Sequence, residues 1–252
     1  MTVKLDNIIT VSTNKTIYRD GDYCIKVFNT PEYSKEGVLN EALNQARIES
    51  TGLDVAKIHE VTMVDGKWAI VLDYIPGKTL ARLMEENPEK MSEYLNLFVD
   101  LQLAVHEKRC HALTRLKDKM RNKISLTTLD ATTKYELHAR LEGMPKHSKV
   151  CHGDFHPSNI MIRPDGSPCI IDWAHVTQGN ASADAARTFL LFSLEGKTEL
   201  ANEYLKLFCK KSDTARQYVE KWTPIVAASQ SVKGNEHERR FLLSWVDVVD
   251  YE

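Results

Sequence analysis

The sequence has no apolar run near the ~18 residues that a membrane-spanning helix needs. It does not open with a basic stretch followed by an apolar core, so no signal peptide is expected. Charge of one sign is also missing. The 33 basic and 35 acidic side chains leave a net charge of −2, which gives no reason to expect nucleic acid or an anionic membrane as partner. The five cysteines are an odd set without C-x-x-C spacing, which argues against a disulfide framework or a zinc site. Buried, reduced thiols in a cytoplasmic protein are the expectation. No internal repeat, linker or low-complexity segment interrupts the chain. Its 252 residues suffice for one large domain or two lobes, and the fractions of apolar (42%) and charged (27%) residues are those of a globular protein.

One stretch organises what is present. Val150-Cys151 leads into the polar loop His152-Gly153-Asp154-Phe155-His156-Pro157-Ser158-Asn159, and Ile160-Met161-Ile162 leads out. Asp154 and Asn159 stand five positions apart, the spacing of Asp and Asn in the kinase catalytic loop H-R-D-L-x-x-x-N. Pro164-Asp165-Gly166-Ser167 reads as a turn, and Pro168-Cys169-Ile170-Ile171 as a short strand that delivers Asp172-Trp173. An acidic residue at that strand end matches the Mg²⁺-binding Asp of D-F-G. The bland reading of the same residues is a polar hairpin loop whose Asp and Asn cap turns. The paired motifs, in this order and separation, argue against it. His152 and His156 lack the Glu and the helix of a zinc protease, so zinc is discounted.

His152-Gly153-Asp154-x-x-x-x-Asn159 followed by Ile171-Asp172-Trp173 resembles the aminoglycoside phosphotransferase and choline kinase family. The resemblance implies an α+β, protein-kinase-like fold: a small β-rich N-lobe over 1–77 and a larger, mostly helical C-lobe over 78–252. It also implies ATP and Mg²⁺ as cofactors and transfer of the γ-phosphate to a hydroxyl. Asp154 would then orient the acceptor hydroxyl, while Asn159 and Asp172 would hold Mg²⁺.

The flanking chain fits that order. Residues 7–30 read as three short strands with a tight hairpin at Asp20-Gly21-Asp22. The turn between the first two, Ser12-Thr13-Asn14-Lys15, has no glycine and departs from G-x-G-x-x-G. Ser12 and Asn14 still offer donors to a phosphate. Lys26, inside the apolar strand Cys24-Ile25-Lys26-Val27-Phe28, matches the lysine of V-A-I-K that contacts the α- and β-phosphates. A helix from Pro31 to about Thr51 is expected to bury Val38, Leu39, Ala42, Leu43 and Ala46 and to offer Glu41 as the partner of Lys26, with Glu36 as runner-up. Strands over 55–64 and 67–74 follow, then a Pro76-Gly77 break. Backbone groups of Asp73 and Ile75 are placed at the adenine edge by the resemblance.

From Lys78 the pattern is helical. Helices are expected near 79–86, 88–106, 111–128 and 131–141, and after the catalytic stretch from a Ser182 cap at 183–192. Others follow near 195–209, 212–228 with a kink at Pro224, and 236–249. Only Ala174 to Ala181 separate Asp172-Trp173 from a helix, and no Ala-Pro-Glu follows, so a protein-kinase activation segment has no room. A small-molecule acceptor is expected, of aminoglycoside, amino-alcohol or sugar type. The other readings are an ATP-binding regulatory pseudokinase or a protein Ser/Thr kinase. The acidic residues Asp184, Asp213, Asp247, Asp250 and Glu252 could face a cationic substrate, but a solvated acidic tail explains the last three better.

Overall fold

A computed structural model describes residues 4–12, 14–29 and 33–246. Thr13, the proposed helix start at Pro31 and the acidic tail at Asp247, Asp250 and Glu252 lie outside the described residues. The first elements in chain order are β1 (Asn7–Val11), β2 (Lys15–Asp20), β3 (Tyr23–Phe28), α1 (Lys35–Glu49), β4 (Ile58–Val64), β5 (Lys67–Asp73), β6 (Lys78–Thr79) and α2 (Leu80–Glu86). Then come α3 (Met91–Glu107), α4 (Leu116–Ser125), α5 (Ala131–Gly143), β7 (Lys149–Cys151), β8 (Ile160–Ile162), β9 (Pro168–Ile170) and β10 (Thr177–Gly179). The chain closes with α6 (Ala181–Leu194), α7 (Thr198–Ser212), α8 (Arg216–Glu220), α9 (Thr223–Gln230) and α10 (Glu236–Ser244). It forms two compact units, Met1–Pro88 with Pro157–His175, and Glu89–His156 with Val176–Glu252.

The first unit is built on an antiparallel sheet in the order β1-β2-β3-β5-β4. Its central strands β3 and β5 alternate between two apolar faces, as the two-residue period of a strand requires. Ile25, Val27, Ala69 and Val71 pack on one face. Phe28, Ile70 and Leu72 pack on the other against Val38 and Ala42 of α1. Lys26 shares the parity of Phe28, so it points to the face that α1 covers. Helix α1 is capped by Ser34, whose hydroxyl accepts the Gly37 N–H. Its inward face differs from the one the apolar spacing suggests. Leu39 and Leu43 are exposed, while Glu41, Asn44 and Gln45 are buried. The amides turn inward because each satisfies a backbone carbonyl: Gln45 Nε2 donates to Ala56 O at 2.6 Å and Asn44 Nδ2 to Ala174 O at 3.2 Å.

A second small sheet, β6-β8-β9, ties residues 157–175 to this unit. Gly77 sits at φ +130°, and a Cβ there would lie 2.0 Å from the Ile162 carbonyl oxygen. Only glycine permits the strand approach that seats the β8–β9 hairpin.

The second unit is helical, with β7 and β10 paired antiparallel. Phe98 of α3 lies at its centre, with ring centroids 4.8 Å from Phe155 and 5.7 Å from both Phe192 and Tyr204. Three sequence expectations shift here. Residues 111–115 precede α4 and make a bridge at Arg115 to Gln178. Asn180 rather than Ser182 caps α6, its side chain accepting the Ser182 N–H. Pro224 kinks nothing; it occupies the first turn of α9, where a missing N–H leaves no helical bond unmade.

Candidate active site

In the first unit the strand parity of Lys26 and the helical spacing of Glu41 bring their side chains together. Lys26 Nζ lies 3.0 Å from Glu41 Oε1 and 3.1 Å from Asp172 Oδ1. Tyr33 donates its hydroxyl to Glu41 Oε2 at 3.2 Å, which fixes the carboxylate from its other side. Glu36, the runner-up, is exposed in the first turn of α1. Burial alone would lower the Lys26 pKa, but Asp172 and Glu41 outweigh it and hold the ammonium above its ordinary value. Burial would likewise raise Asp172; Lys26 and Lys15 overcome it and keep that carboxyl below the usual carboxylate range.

Asp172 follows β9 in a left-handed conformation, φ +63°, which non-glycine residues rarely adopt. The following turn supports it: Trp173 is 1% exposed and donates Nε1–H to Ile170 O at 3.0 Å. Asn159 and Asp172 stand at the same end of one hairpin. Ile160 pairs with Ile170 across β8 and β9, and Ile171 N–H donates to Asn159 O at 2.9 Å. The hairpin thus brings the Asn159 and Asp172 backbones to one end, and an amide and a carboxylate are oxygen donors of the kind that Mg²⁺ takes. No group of three or more His, Cys, Asp or Glu able to cage a metal occurs among the described residues.

The sequence reading missed Lys15. It opens β2, half-buried, with Nζ 3.0 Å from Asp172 Oδ2 and 3.8 Å from Glu41 Oε1. Both Asp172 oxygens thus face an ammonium. Ser12 is engaged with Lys15: its N–H and hydroxyl each donate to Lys15 O at 2.9 Å, and its hydroxyl accepts the Lys15 N–H at 3.2 Å. Asn14 accepts the Asn29 N–H through its carbonyl at 2.8 Å. The turn therefore shapes itself with side chains where a glycine-rich loop would use free backbone, and it sends a lysine inward. Asp73 N–H donates to Lys57 O at 2.9 Å, and its carboxylate accepts from Lys57 N–H at 2.9 Å and pairs with His59 at 2.6 Å. Ile75 packs against the core cluster below α1.

In the second unit Asp154 follows β7 in a loop held from behind by Asp184 of α6. Asp184 is buried and accepts Gly153 N–H at 2.7 Å and His152 N–H at 3.2 Å, while His106 Nε2 lies 2.9 Å away. Burial would raise its pKa, but His106 and these N–H groups hold it below the ordinary value. The structure thus gives Asp184 a supporting role. Phe155 O accepts the Thr188 hydroxyl at 2.9 Å; Gln102 Nε2 bonds Thr188 at 3.2 Å and Tyr204 OH bonds Gln102 Oε1 at 2.6 Å. Asp154 remains 31% exposed, and Arg187 Nη2 reaches its Oδ1 at 3.3 Å. Arg187, which the sequence reading did not single out, lies one turn after Asp184 on the same helix. His156 pairs with Glu195.

The family model described as "APH: Phosphotransferase enzyme family" matches residues 11–220. No curated protein matches. Among solved structures, a thermostable mutant of aminoglycoside phosphotransferase APH(4)-Ia is 14% identical with a TM-score of 0.69, over 95% of this chain and 92% of that one. Choline kinase LicA from Streptococcus pneumoniae is 15% identical with a TM-score of 0.64, over 96% and 94%. A choline/ethanolamine kinase family protein from Mesorhizobium loti is 16% identical with a TM-score of 0.63, over 97% and 86%. These likenesses confirm the kinase-like α+β fold, a five-stranded sheet in one unit and helices in the other. The chain belongs to the phosphotransferase enzyme family, as a small-molecule kinase with an alcohol group as acceptor.

Proposed function

We propose that the protein binds ATP with Mg²⁺ and transfers the γ-phosphate to a hydroxyl oriented by Asp154. The observation that carries this is the convergence of Lys26, Glu41 and Asp172, with Asn159 beside Asp172 on one hairpin. Lys26, held by Glu41, takes the α- and β-phosphates. Lys15 leaves Asp172 for the phosphates when the nucleotide arrives. It thereby adds side-chain charge at a turn whose Ser12 and Lys15 N–H groups are already engaged. Asn159 and Asp172 hold Mg²⁺, which neutralises charge on the phosphate oxygens when bound. Backbone groups at Asp73 and Ile75 meet the adenine, with the Asp73 carbonyl as the acceptor since its N–H is taken. Asp154 accepts a hydrogen bond from the acceptor hydroxyl. The hydroxyl oxygen bonds to the γ-phosphorus as the bond to the leaving ADP breaks, and the hydroxyl proton passes to Asp154.

Relatives in the fold have been captured with nucleotide and an acceptor: one APH(4)-Ia structure is a ternary complex with ADP and hygromycin B. No helix among the described residues is long and apolar enough to cross a membrane. No disulfide joins the five cysteines, which fits a reducing, ATP-supplied cytoplasm. Calorimetric titration with ATP, with and without Mg²⁺, together with ADP release over a hydroxyl library, tests the reading. Absence of nucleotide binding in both titrations would end it.

A further inference from the structure

The helical unit holds a cavity of about 530 Å³, within the size range of small-molecule sites. The start of α4, residues 145–148 and the end of β10 enclose it. Strand pairing puts it at the far end of β7 from Asp154. Gly179, which lines it, lies opposite Lys149 at the start of β7, while Thr177 lies opposite Cys151, where β7 runs into the Asp154 loop. Neither Asp154 nor Arg187 lines it. Its walls are tied in place. A Cβ on Gly179 would lie 2.4 Å from Leu116 Cβ, so only glycine lets β10 close against the start of α4. Gln178 Nε2 donates to His111 O at 2.8 Å and to Leu113 O at 2.6 Å, which fixes the segment before α4. Lys117 Nζ donates to Glu142 O at 2.9 Å and Met144 O at 3.0 Å, tying α4 to the end of α5. Arg121 joins Asp118 at 3.1 Å and Glu142 at 2.7 Å.

What the walls do not use is rich in donors. Arg115, Lys117, Arg121 and Lys146 line the cavity against one carboxylate, Asp118. Lys117, Arg121 and Asp118 are spent on the walls. The side chains of Arg115, Lys146 and His147 enter no hydrogen bond or ion pair among the described residues. A basic surface on its own is ordinary solvated charge. A buried group separates this cavity from that case. Trp222 also lines it, is fully buried, and has an Nε1–H without an acceptor among the described residues. Buried polar groups are hydrogen-bonded as a rule, and an indole N–H can only donate. Guanidinium, ammonium and indole N–H donors together match an oxyanion. A phosphate monoester brings about two charges and three acceptor oxygens, against one charge and two oxygens for a carboxylate.

We propose that this cavity is a second ligand site, which holds a phosphate monoester through Arg115, Lys146, His147 and the Trp222 N–H. It shares no residue with the groups assigned to ATP, Mg²⁺ and the acceptor hydroxyl. It therefore stands or falls apart from the phosphotransferase reading.

The test titrates the full chain, without nucleotide, with inorganic phosphate and with glucose 6-phosphate as probes, and reads Kd by calorimetry. Glucose and glucuronate serve as the neutral and carboxylate arms. Phosphate compounds are expected to bind, glucose not at all, and glucuronate about tenfold more weakly or worse. In the double variant Arg115→Gln/Lys146→Gln the Kd for the phosphate probes rises about tenfold or more, while that for Mg·ATP stays within about twofold. Both side chains are exposed, so the variant is expected to fold, and its melting temperature verifies this. The double variant Arg115→Lys/Lys146→Arg keeps most of the affinity. The Trp222 indole N–H resonance, assigned through Trp222→Phe, shifts on binding in wild type and not in the glutamine variant. If Trp222→Phe fails to fold, the calorimetric titrations decide alone. Failure of both phosphate probes to bind overturns the proposal, as does glucose or glucuronate binding equally well. An unchanged Kd in the glutamine variant, or a Trp222 resonance that stays in place, overturns it too. Saturation only at tens of millimolar or so would mean an adventitious ion only and would also overturn it.

Discussion

At the residue scale, each functional side chain has a distinct expected signature. In the proposed reaction Asp154 accepts the hydroxyl proton; Asp154→Asn keeps the shape and removes that charge, so kcat is expected to fall by about 10²–10⁴ with nucleotide KM little changed. Initial rates against ATP at saturating acceptor check this. Lys15→Ala acts at the other end of the chemistry. It removes the ammonium 3.0 Å from Asp172, so KM for Mg·ATP rises about tenfold, the size of one charge-assisted hydrogen bond, while kcat changes less. An unchanged KM would remove Lys15 from the phosphate site. The contrast with Lys26 shows what a sequence can reveal. Lys26 stands out because a charge interrupts an apolar strand, and Asp154, Asn159 and Asp172 because their spacing is fixed by one loop and one hairpin. Lys15 reads as an ordinary turn residue; its inward aim depends on how Ser12 closes the turn. Arg187 lies 33 positions beyond Asp154, in another element. Helical spacing from Asp184 was the one signal that could have found it.

At the scale of elements, α6 is the support of the loop that carries Asp154. Asp184, Arg187 and Thr188 sit within two turns and reach Gly153, Asp154 and Phe155 in the same order. Asp184→Ala would leave two loop N–H groups and His106 without their buried acceptor. The expected loss is about 3–5 kcal/mol of stability, the usual cost of removing one partner from a buried pair. The pH dependence has a definite sign. The folded carboxyl is held below its ordinary value, so its contribution is present above the unfolded pKa near ~3.9 and is lost as pH falls through the folded value. Melting curves of wild type and variant should differ widely at neutral pH and approach each other in acid. Elements of this kind were legible where apolar period or turn chemistry acts locally, as in β3, β5 and the Gly21 hairpin. They were misplaced where a side chain chose a distant partner. Asn44 and Gln45 displaced Leu39 and Leu43 from the inward face of α1 because two carbonyls needed donors, and within the short stretch from Ala174 to Ala181 the residues Thr177–Gly179 became β10 by pairing with β7.

At the scale of the whole molecule, the chain leaves one compact unit and re-enters the other inside the catalytic loop, between His156 and Pro157. No local pattern announces this; it follows from β8 pairing with β6 across more than eighty residues of sequence. The division bears on how the protein melts. Lys15, Lys26, Glu41, Asn159 and Asp172 all belong to the unit formed by Met1–Pro88 and Pro157–His175. A ligand that binds only the folded form raises stability by mass action, by about 2.7 kcal/mol at one hundred times Kd. If the two units unfold as one, the single transition moves up by several degrees, since each kcal/mol is worth about 2–4 °C in a chain of this length. If they unfold separately, Mg·ATP moves the transition of the first unit alone, and a single melting temperature no longer describes the protein. In both cases a chelator of divalent cations should abolish most of the shift. A reducing agent should leave the ligand-free melt unchanged, as no disulfide is present to break. Scanning calorimetry of wild type and Asp172→Asn, with and without Mg·ATP, distinguishes these outcomes. The shift should be large in wild type and small in the variant. An equal shift in both would mean that Asp172 does not hold the metal.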